Sequence, residues 1–364
     1  MQNIVIDGAN GFVASHFIKE LTDNNQKVTA FVRKTDKLSS LKRMEEAMLK
    51  TGAVKEQMVN IKVYNYDLKK EKFALPDTSL SEIFNEDVDF FHFAADLRFS
   101  EKDKEQIFGT NIDGMENAIS TFLKYATPSS RFFYISTVYS CGKTKEPFQE
   151  KFYPDAEINQ FRNYYEQSKR IAENRLKAHM DNKKFNLHII RLAQVVGNRE
   201  TGVTTTNYGV FDFAKRIKSL SKRYPNETVR IKINPESTQN FIAVNVVARY
   251  LFEISQIQKL PVIINANGNS YVKNQSITKC LNRLLPINIV HDETLEPRQM
   301  TSLERIIAAG MKFTGIYANT IIRFDRTQLE KLVDTSDEKI SDESLSRMIN
   351  YFLENIKRKR EITY

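Results

Sequence analysis

One short segment near the start limits the fold more than any other. Ile4-Val5-Ile6-Asp7 is an apolar run of strand character, Gly8-Ala9-Asn10-Gly11 is a glycine-bearing turn, and Phe12-Val13-Ala14 opens a stretch with helical spacing. A strand, a tight turn and a helix in direct succession are the first half of a strand–helix–strand unit, which requires a parallel partner strand. Gly8 permits the turn, and Gly11 lets the backbone approach a pyrophosphate held at the helix N-terminus. Ala14 takes the third small position, where the helix must pack closely on the strand. The segment therefore assigns Gly8, Asn10, Gly11, Phe12 and Val13 to a dinucleotide-binding loop. In another context the same spacing is an ordinary strand-to-helix turn.

The rest of the first half repeats that alternation. Apolar runs at Ile4–Asp7, Lys27–Val32, Ile61–Tyr66, Val88–Phe93, Arg131–Ile135 and Leu187–Leu192 are separated by segments of helical period. Those segments are Phe12–Leu21, Leu38–Leu49, Lys104–Tyr125 and Arg162–His179. The pattern predicts a doubly wound parallel α/β sheet. Residues 1–195 are read as the dinucleotide-binding domain. Residues 196–364 are read as the remaining sheet elements and a smaller, mostly helical substrate lobe, with helices at Asn274–Leu285, Ser302–Ala309 and Asp342–Ile356.

The second strand ends in Arg33-Lys34. An acidic residue there would bond the ribose 2′-hydroxyl of NAD, whereas cations suit the 2′-phosphate of NADP. The two cations favour NADP(H), with NAD as the alternative; the bland reading is that both simply face solvent.

Charge and composition exclude several classes. The net charge of +9 arises from 54 Lys and Arg against 45 Asp and Glu, intermixed almost everywhere. Only Lys357-Arg358-Lys359-Arg360 is dense, and such a run is usually a solvated helix end or tail. Nucleic acid is not expected as a partner. No apolar run approaches the roughly 18 residues of a membrane span, and two distant cysteines, Cys141 and Cys280, make no disulfide framework. The expected location is cytoplasmic. The five histidines have no metal-ligand spacing, so no metal is expected.

Asn163-Tyr164-Tyr165-Glu166-Gln167-Ser168-Lys169 opens a helix in which Tyr165 and Lys169, four apart, share a face. A phenol near pKa 10 is a poor acid–base at neutral pH, and a neighbouring ammonium lowers that value. Tyr165 could then protonate a carbonyl oxygen as hydride reaches the carbon, while Lys169 also holds the ribose. Tyr-x-x-x-Lys alone is a common surface pair; its place one strand–helix unit after Ser136-Thr137 makes it specific. One of those two hydroxyls, at the end of the preceding strand, is expected to bond the reacting oxygen.

Together these residues resemble the extended short-chain dehydrogenase/reductases, and within them the thioester reductases: terminal reductase domains of peptide and polyketide synthases and fatty acyl-CoA reductases. The likeness spans roughly residues 1–250. It takes in the glycine loop, Asp67-Leu68 near the adenine, His92-Phe93-Ala94-Ala95, Phe99, Asn111-Ile112-Asp113-Gly114, Ser136-Thr137, Tyr165 and Lys169. The resemblance implies that Asp67, Leu68, Ala94, Ala95 and Asn111 line the cofactor, and that Thr137, with Ser136 beside it, is the catalytic hydroxyl. Arg191–Asn198 with Glu200-Thr201-Gly202 also resembles that branch, and the Arg-x-x-Asn-x-Tyr-Gly pattern usual in nucleotide-sugar epimerases is absent there. Asp7 departs from the usual threonine.

The resemblance implies NADPH-dependent reduction of a carbonyl, an acyl thioester on coenzyme A or a carrier protein delivered in trans, giving an aldehyde or alcohol. Its alternatives are a nucleotide-sugar epimerase, dehydratase or reductase, a small aldehyde or ketone reductase, and a non-catalytic dinucleotide-binding sensor. A homodimer is common in this group. Residues 251–364 carry no assignable motif.

Overall fold

The computed structural model describes residues 3–269, 271–311 and 314–355. Lys357–Arg360 and Ile356 lie outside the described residues. The chain divides into two compact units. The first comprises residues 1–193, 247–267 and 324–334, and the second residues 194–246, 268–323 and 335–364.

The first unit is built on a seven-stranded parallel sheet. Its strands in chain order are β1 (Asn3–Asp7), β2 (Val28–Val32), β3 (Ile61–Asn65), β4 (Val88–His92), β5 (Arg131–Thr137) and β6 (Asn186–Leu192), completed by Ile263–Ala266. The spatial order is Ile263–Ala266, β6, β5, β4, β1, β2, β3, and every pairing is parallel. The order reverses between β1 and β4, the switch point at whose carboxyl ends such sheets bind ligands. Every residue of β4 and β5 is buried, which explains their nearly continuous apolar sequence. Phe73, Phe84, Phe90, Phe122 and Phe132 form an aromatic core beside them.

The connecting helices are α1 (Phe12–Asp23), α2 (Ser40–Lys50), α3 (Asp77–Ile83), α4 (Lys104–Phe108), α5 (Gly114–Tyr125) and α6 (Tyr164–Lys183). The periodicity of Lys104–Tyr125 predicts one helix, but the structure interrupts it with a wider turn at Gly109–Asp113, closed by i→i+5 bonds. Asn111 is the cause in view. Its side chain accepts from Asp96 N–H at 2.7 Å, and its amide donates to Asp96 C=O at 3.1 Å and Ser168 Oγ at 2.9 Å. These tertiary bonds compete with regular helix geometry, as wide turns at functional sites commonly reflect.

In the second unit, Thr238–Ala243 pairs in parallel with Gln194–Val196 and antiparallel with Tyr271–Lys273. Thr228–Ile231 pairs in parallel with Asn288–His291. Helices Val210–Arg223, Asn274–Leu284 and Asp342–Asn355 close a core that includes Phe211, Phe213, Ile217, Leu281, Ile349 and Phe352. These strands are three to six residues long, too short to stand out in the sequence pattern. Among the described residues no helix is long and apolar enough to cross a membrane.

Candidate active site

The glycine loop closes against the end of β4. Gly8 has φ +58°, and a Cβ there would lie 2.8 Å from Ala94 N, so both its conformation and its surroundings require glycine. Gly11 precedes α1 and caps it without any side-chain bond. The first N–H groups of α1 are thereby left with the partial positive charge that suits a phosphate. Phe12 and Val13 are half-buried in that first turn and Asn10 is half-buried in the loop. This arrangement fits a dinucleotide pyrophosphate.

At the end of β2, Arg33 and Lys34 are exposed. Lys34 N–H donates to Asn65 Oδ1 at 2.9 Å, which also accepts from Ser40 Oγ at 2.9 Å. Arg43 of α2 joins them by donating to Arg33 C=O. Burial, then the Arg33 charge, holds the Arg43 guanidinium below its ordinary pKa. Arg43 escaped the sequence reading, although its place one turn into the helix after Arg33-Lys34 was a usable signal.

Asp67 caps its own turn by accepting from Lys69 N–H at 3.1 Å. Leu68 is buried against α5, where a Cβ on Gly114 would come within 2.7 Å of its Cδ2. Ala94 and Ala95 are half-buried in the turn after β4. Asn111 is fully buried and ties that turn, through Asp96, to Ser168 on α6.

Helix α6 starts where Asn163 caps it, accepting from Glu166 N–H at 3.0 Å. Tyr165 is half-buried one residue inside, with the Phe99 ring set edge-on at 5.9 Å. Lys169 is buried, donates to Ile135 C=O at 2.8 Å and stands 4.6 Å above the Tyr134 ring. Burial lowers its pKa to about 8, against the opposing pull of Glu173 and Asp7. Tyr134 is fully buried and its hydroxyl has no partner among the described residues. Burial, then Glu173, Tyr165 and Asp7, pushes its phenol well above the ordinary value.

The two candidate hydroxyls diverge because side chains alternate along β5. Ser136 donates to Glu173 Oε1 at 2.5 Å, and Ser140 donates to the same oxygen at 3.1 Å. Arg191, paired with Ser136 across β5 and β6, grips Glu173 through Nε and Nη2 at 2.7–3.2 Å. Its remaining donors go to Gln149 and Lys151 carbonyls, and its guanidinium lies 4.3 Å from the Phe148 ring centre. Thr137 donates to Leu192 C=O and accepts from Tyr139 N–H, both at 3.2 Å. Ser136 is thus drawn into a buried ion-pair network under α6, while Thr137 terminates β5.

That network was missed from sequence. Glu173 follows Lys169 by one helical turn on the same face, and Arg191 interrupts an apolar strand; each was a signal of a buried partner. Cys141 is buried, and that burial pushes its thiol up to about 12, away from the thiolate form a nucleophile needs.

The sequence model of the male sterility protein family, a family of NAD-binding domains, matches residues 6–251. The chain belongs to this family. The member's fold is shared with the terminal R domain from the myxalamid PKS-NRPS biosynthetic pathway, at TM-score 0.77 and 16% identity over 99% of this chain and 91% of that one. The reductase domain of the aureusimine biosynthetic cluster is similar at TM-score 0.71 and 17% identity, covering 98% and 91%. A UDP-glucuronic acid 4-epimerase from Bacillus cereus in complex with NAD reaches TM-score 0.65 and 18% identity, covering 96% of each chain. A nicotinamide dinucleotide is therefore the cofactor class of this male sterility family protein.

Proposed function

We propose that this protein is an NADPH-dependent reductase of acyl thioesters carried on coenzyme A or a carrier protein. The observation that carries the reading is Tyr165 and Lys169 on one face of α6, with Lys169 buried against β5 and Thr137 at the end of that strand. The glycine loop in the same unit fits a dinucleotide. Likeness to terminal reductase domains supports the thioester over a nucleotide sugar.

When bound, the reduced nicotinamide supplies hydride to the carbonyl carbon. Thr137 and Tyr165 would bond the carbonyl oxygen, Tyr165 giving its phenolic proton as negative charge grows there. The hemithioacetal so formed would return that proton to the Tyr165 phenolate as its C–S bond breaks, leaving an aldehyde and a thiolate that takes a proton from solvent. Lys169, as ammonium, would stabilise the resulting phenolate. In this reading Ser136 acts from behind, fixing α6 on β5 through Glu173. Gly8, Asn10, Gly11, Phe12 and Val13 would cradle the pyrophosphate, with Ala94, Ala95, Asp67, Leu68 and Asn111 along the remaining cofactor wall. The cluster of Arg33, Lys34 and Arg43 favours a 2′-phosphate, and so NADP over NAD. A homodimer is part of the proposal, as is the reading of residues 1–195 as the dinucleotide-binding domain with the catalytic residues and 196–364 as the remaining sheet elements and substrate-binding lobe.

The test is NADPH oxidation against an acyl-CoA panel with free thiol titrated in parallel. Thiol release matching NADPH loss is expected. NADPH loss on simple carbonyls without thiol release would replace the thioester by a ketone or aldehyde.

A further inference from the structure

The catalytic reading leaves Asp7 and His92 unused. Parallel register sets Phe31, Asp7, His92 and Tyr134 side by side in one row across β2, β1, β4 and β5. Asp7, the last residue of β1, is fully buried. Its Oδ1 accepts from both Phe93 N–H at 2.8 Å and Ala94 N–H at 2.9 Å, and its Oδ2 lies 2.5 Å from His92 Nδ1. A threonine there would offer one oxygen where these contacts use two. The two amides belong to the turn against which Gly8 closes, so the carboxylate fastens the wall facing the cofactor loop.

The titratable groups around Asp7 are His92 on β4, Tyr134 on β5, Tyr66 beyond β3 and Lys169 on α6. Lys169 in turn faces Glu173 on its own helix, Asp7 and the Tyr134 ring. His92 stacks on Tyr134 with ring centres 5.7 Å apart, and its Nε2 is buried without a partner among the described residues.

We propose that Asp7 is a positioning residue: its oxygens hold the turn after β4 against the dinucleotide loop.

Two substitutions in the full chain test the acceptors. Asp7→Asn keeps Oδ1 for both amides; its Nδ2 can donate to His92 Nδ1 once His92 takes the Nε2–H tautomer. Asp7→Ala removes the acceptors and leaves two N–H groups unsatisfied. NADPH binding is followed by fluorescence, and amide exchange at Phe93 and Ala94 by mass spectrometry or NMR. Asp7→Ala is expected to weaken NADPH binding about tenfold or more and to speed exchange. Asp7→Asn is expected to hold binding within about threefold and exchange near wild type. Unchanged binding and exchange in Asp7→Ala overturn the positioning role, as does a loss in Asp7→Asn equal to that in Asp7→Ala. Where Asp7→Ala does not fold, Asp7→Val, of threonine's shape without its oxygen, answers the same question, and wild-type affinity and exchange there overturn the positioning role. Tyr165→Phe is run alongside: wild-type turnover in that variant sinks the catalytic reading of α6 and leaves the binding and exchange results for Asp7 intact.

Discussion

The two units handle charge differently. The first buries Asp7, Asp89, Arg131, Lys169, Glu173 and Arg191. In the second, Glu338 and Glu304 are buried, but Glu304's partner Arg230 is 36% exposed, and Lys232–Glu296 and Lys273–Glu236 are exposed pairs. Burying a charge is costly unless geometry and hydrogen bonds repay it. In the first unit Asp7, Lys169, Glu173 and Arg191 gather where β1, β4, β5, β6 and α6 meet, around the proposed reacting groups, while the Asp89–Arg131 pair lies at the opposite, N-terminal ends of β4 and β5. The contrast teaches that this unit gives up stability to hold an ammonium and a carboxylate in a dry place, while the ion pairs named in the second unit keep at least one member in water.

The largest expected effect sharpens that contrast. Arg191→Met strands Glu173 without its ion partner, and should destabilise the protein by about 3–5 kcal/mol. Arg230→Met breaks a half-exposed pair and should cost no more than about 1 kcal/mol. Denaturant unfolding of both variants measures the difference; equal losses would break the comparison.

Lys169→Met should move stability the other way. Its folded pKa, about 8, lies below the ordinary 10.5. Below about 8 the folded state carries a buried ammonium at full cost. Between about 8 and 10.5 the folded state has shed the proton that the unfolded chain keeps, so this group's penalty fades as pH rises. Lys169→Met should therefore be more stable than wild type by roughly 2–3 kcal/mol at pH 7, with a gap that shrinks toward pH 10.5, and inactive throughout. Unfolding midpoints at pH 7 and pH 9.5 check the sign.

A smaller effect tests an edge cation. Arg43→Ala should weaken NADPH by about 1 kcal/mol, the order of one partly exposed charge-assisted bond, and leave NADH unchanged. Equal weakening of both cofactors would remove Arg43 from the 2′-phosphate site.

How much of this could be read beforehand follows from range. The glycine loop and the Tyr165–Lys169 spacing are local, so strand period and helix period reveal them directly. Thr137 and Ser136 are adjacent in sequence, and only the face of β5 covered by α6 separates their roles. The Asp7 contacts depend on the register of β1 with β4, 85 residues later, which no local pattern encodes. The break at Asn111 arises from its bonds to Asp96 and Ser168, invisible to periodicity. In the second unit, short strands and the absence of any motif after residue 250 left substrate selection unread.

The most direct test of the central claim is Tyr165→Phe, measured for NADPH affinity and for thioester-dependent NADPH oxidation on the same preparation. The account predicts affinity near wild type and turnover reduced by about 10²–10⁴-fold, with thiol release falling in step. Turnover within a few-fold of wild type would contradict it, because the proton would then reach the substrate oxygen from a group other than Tyr165.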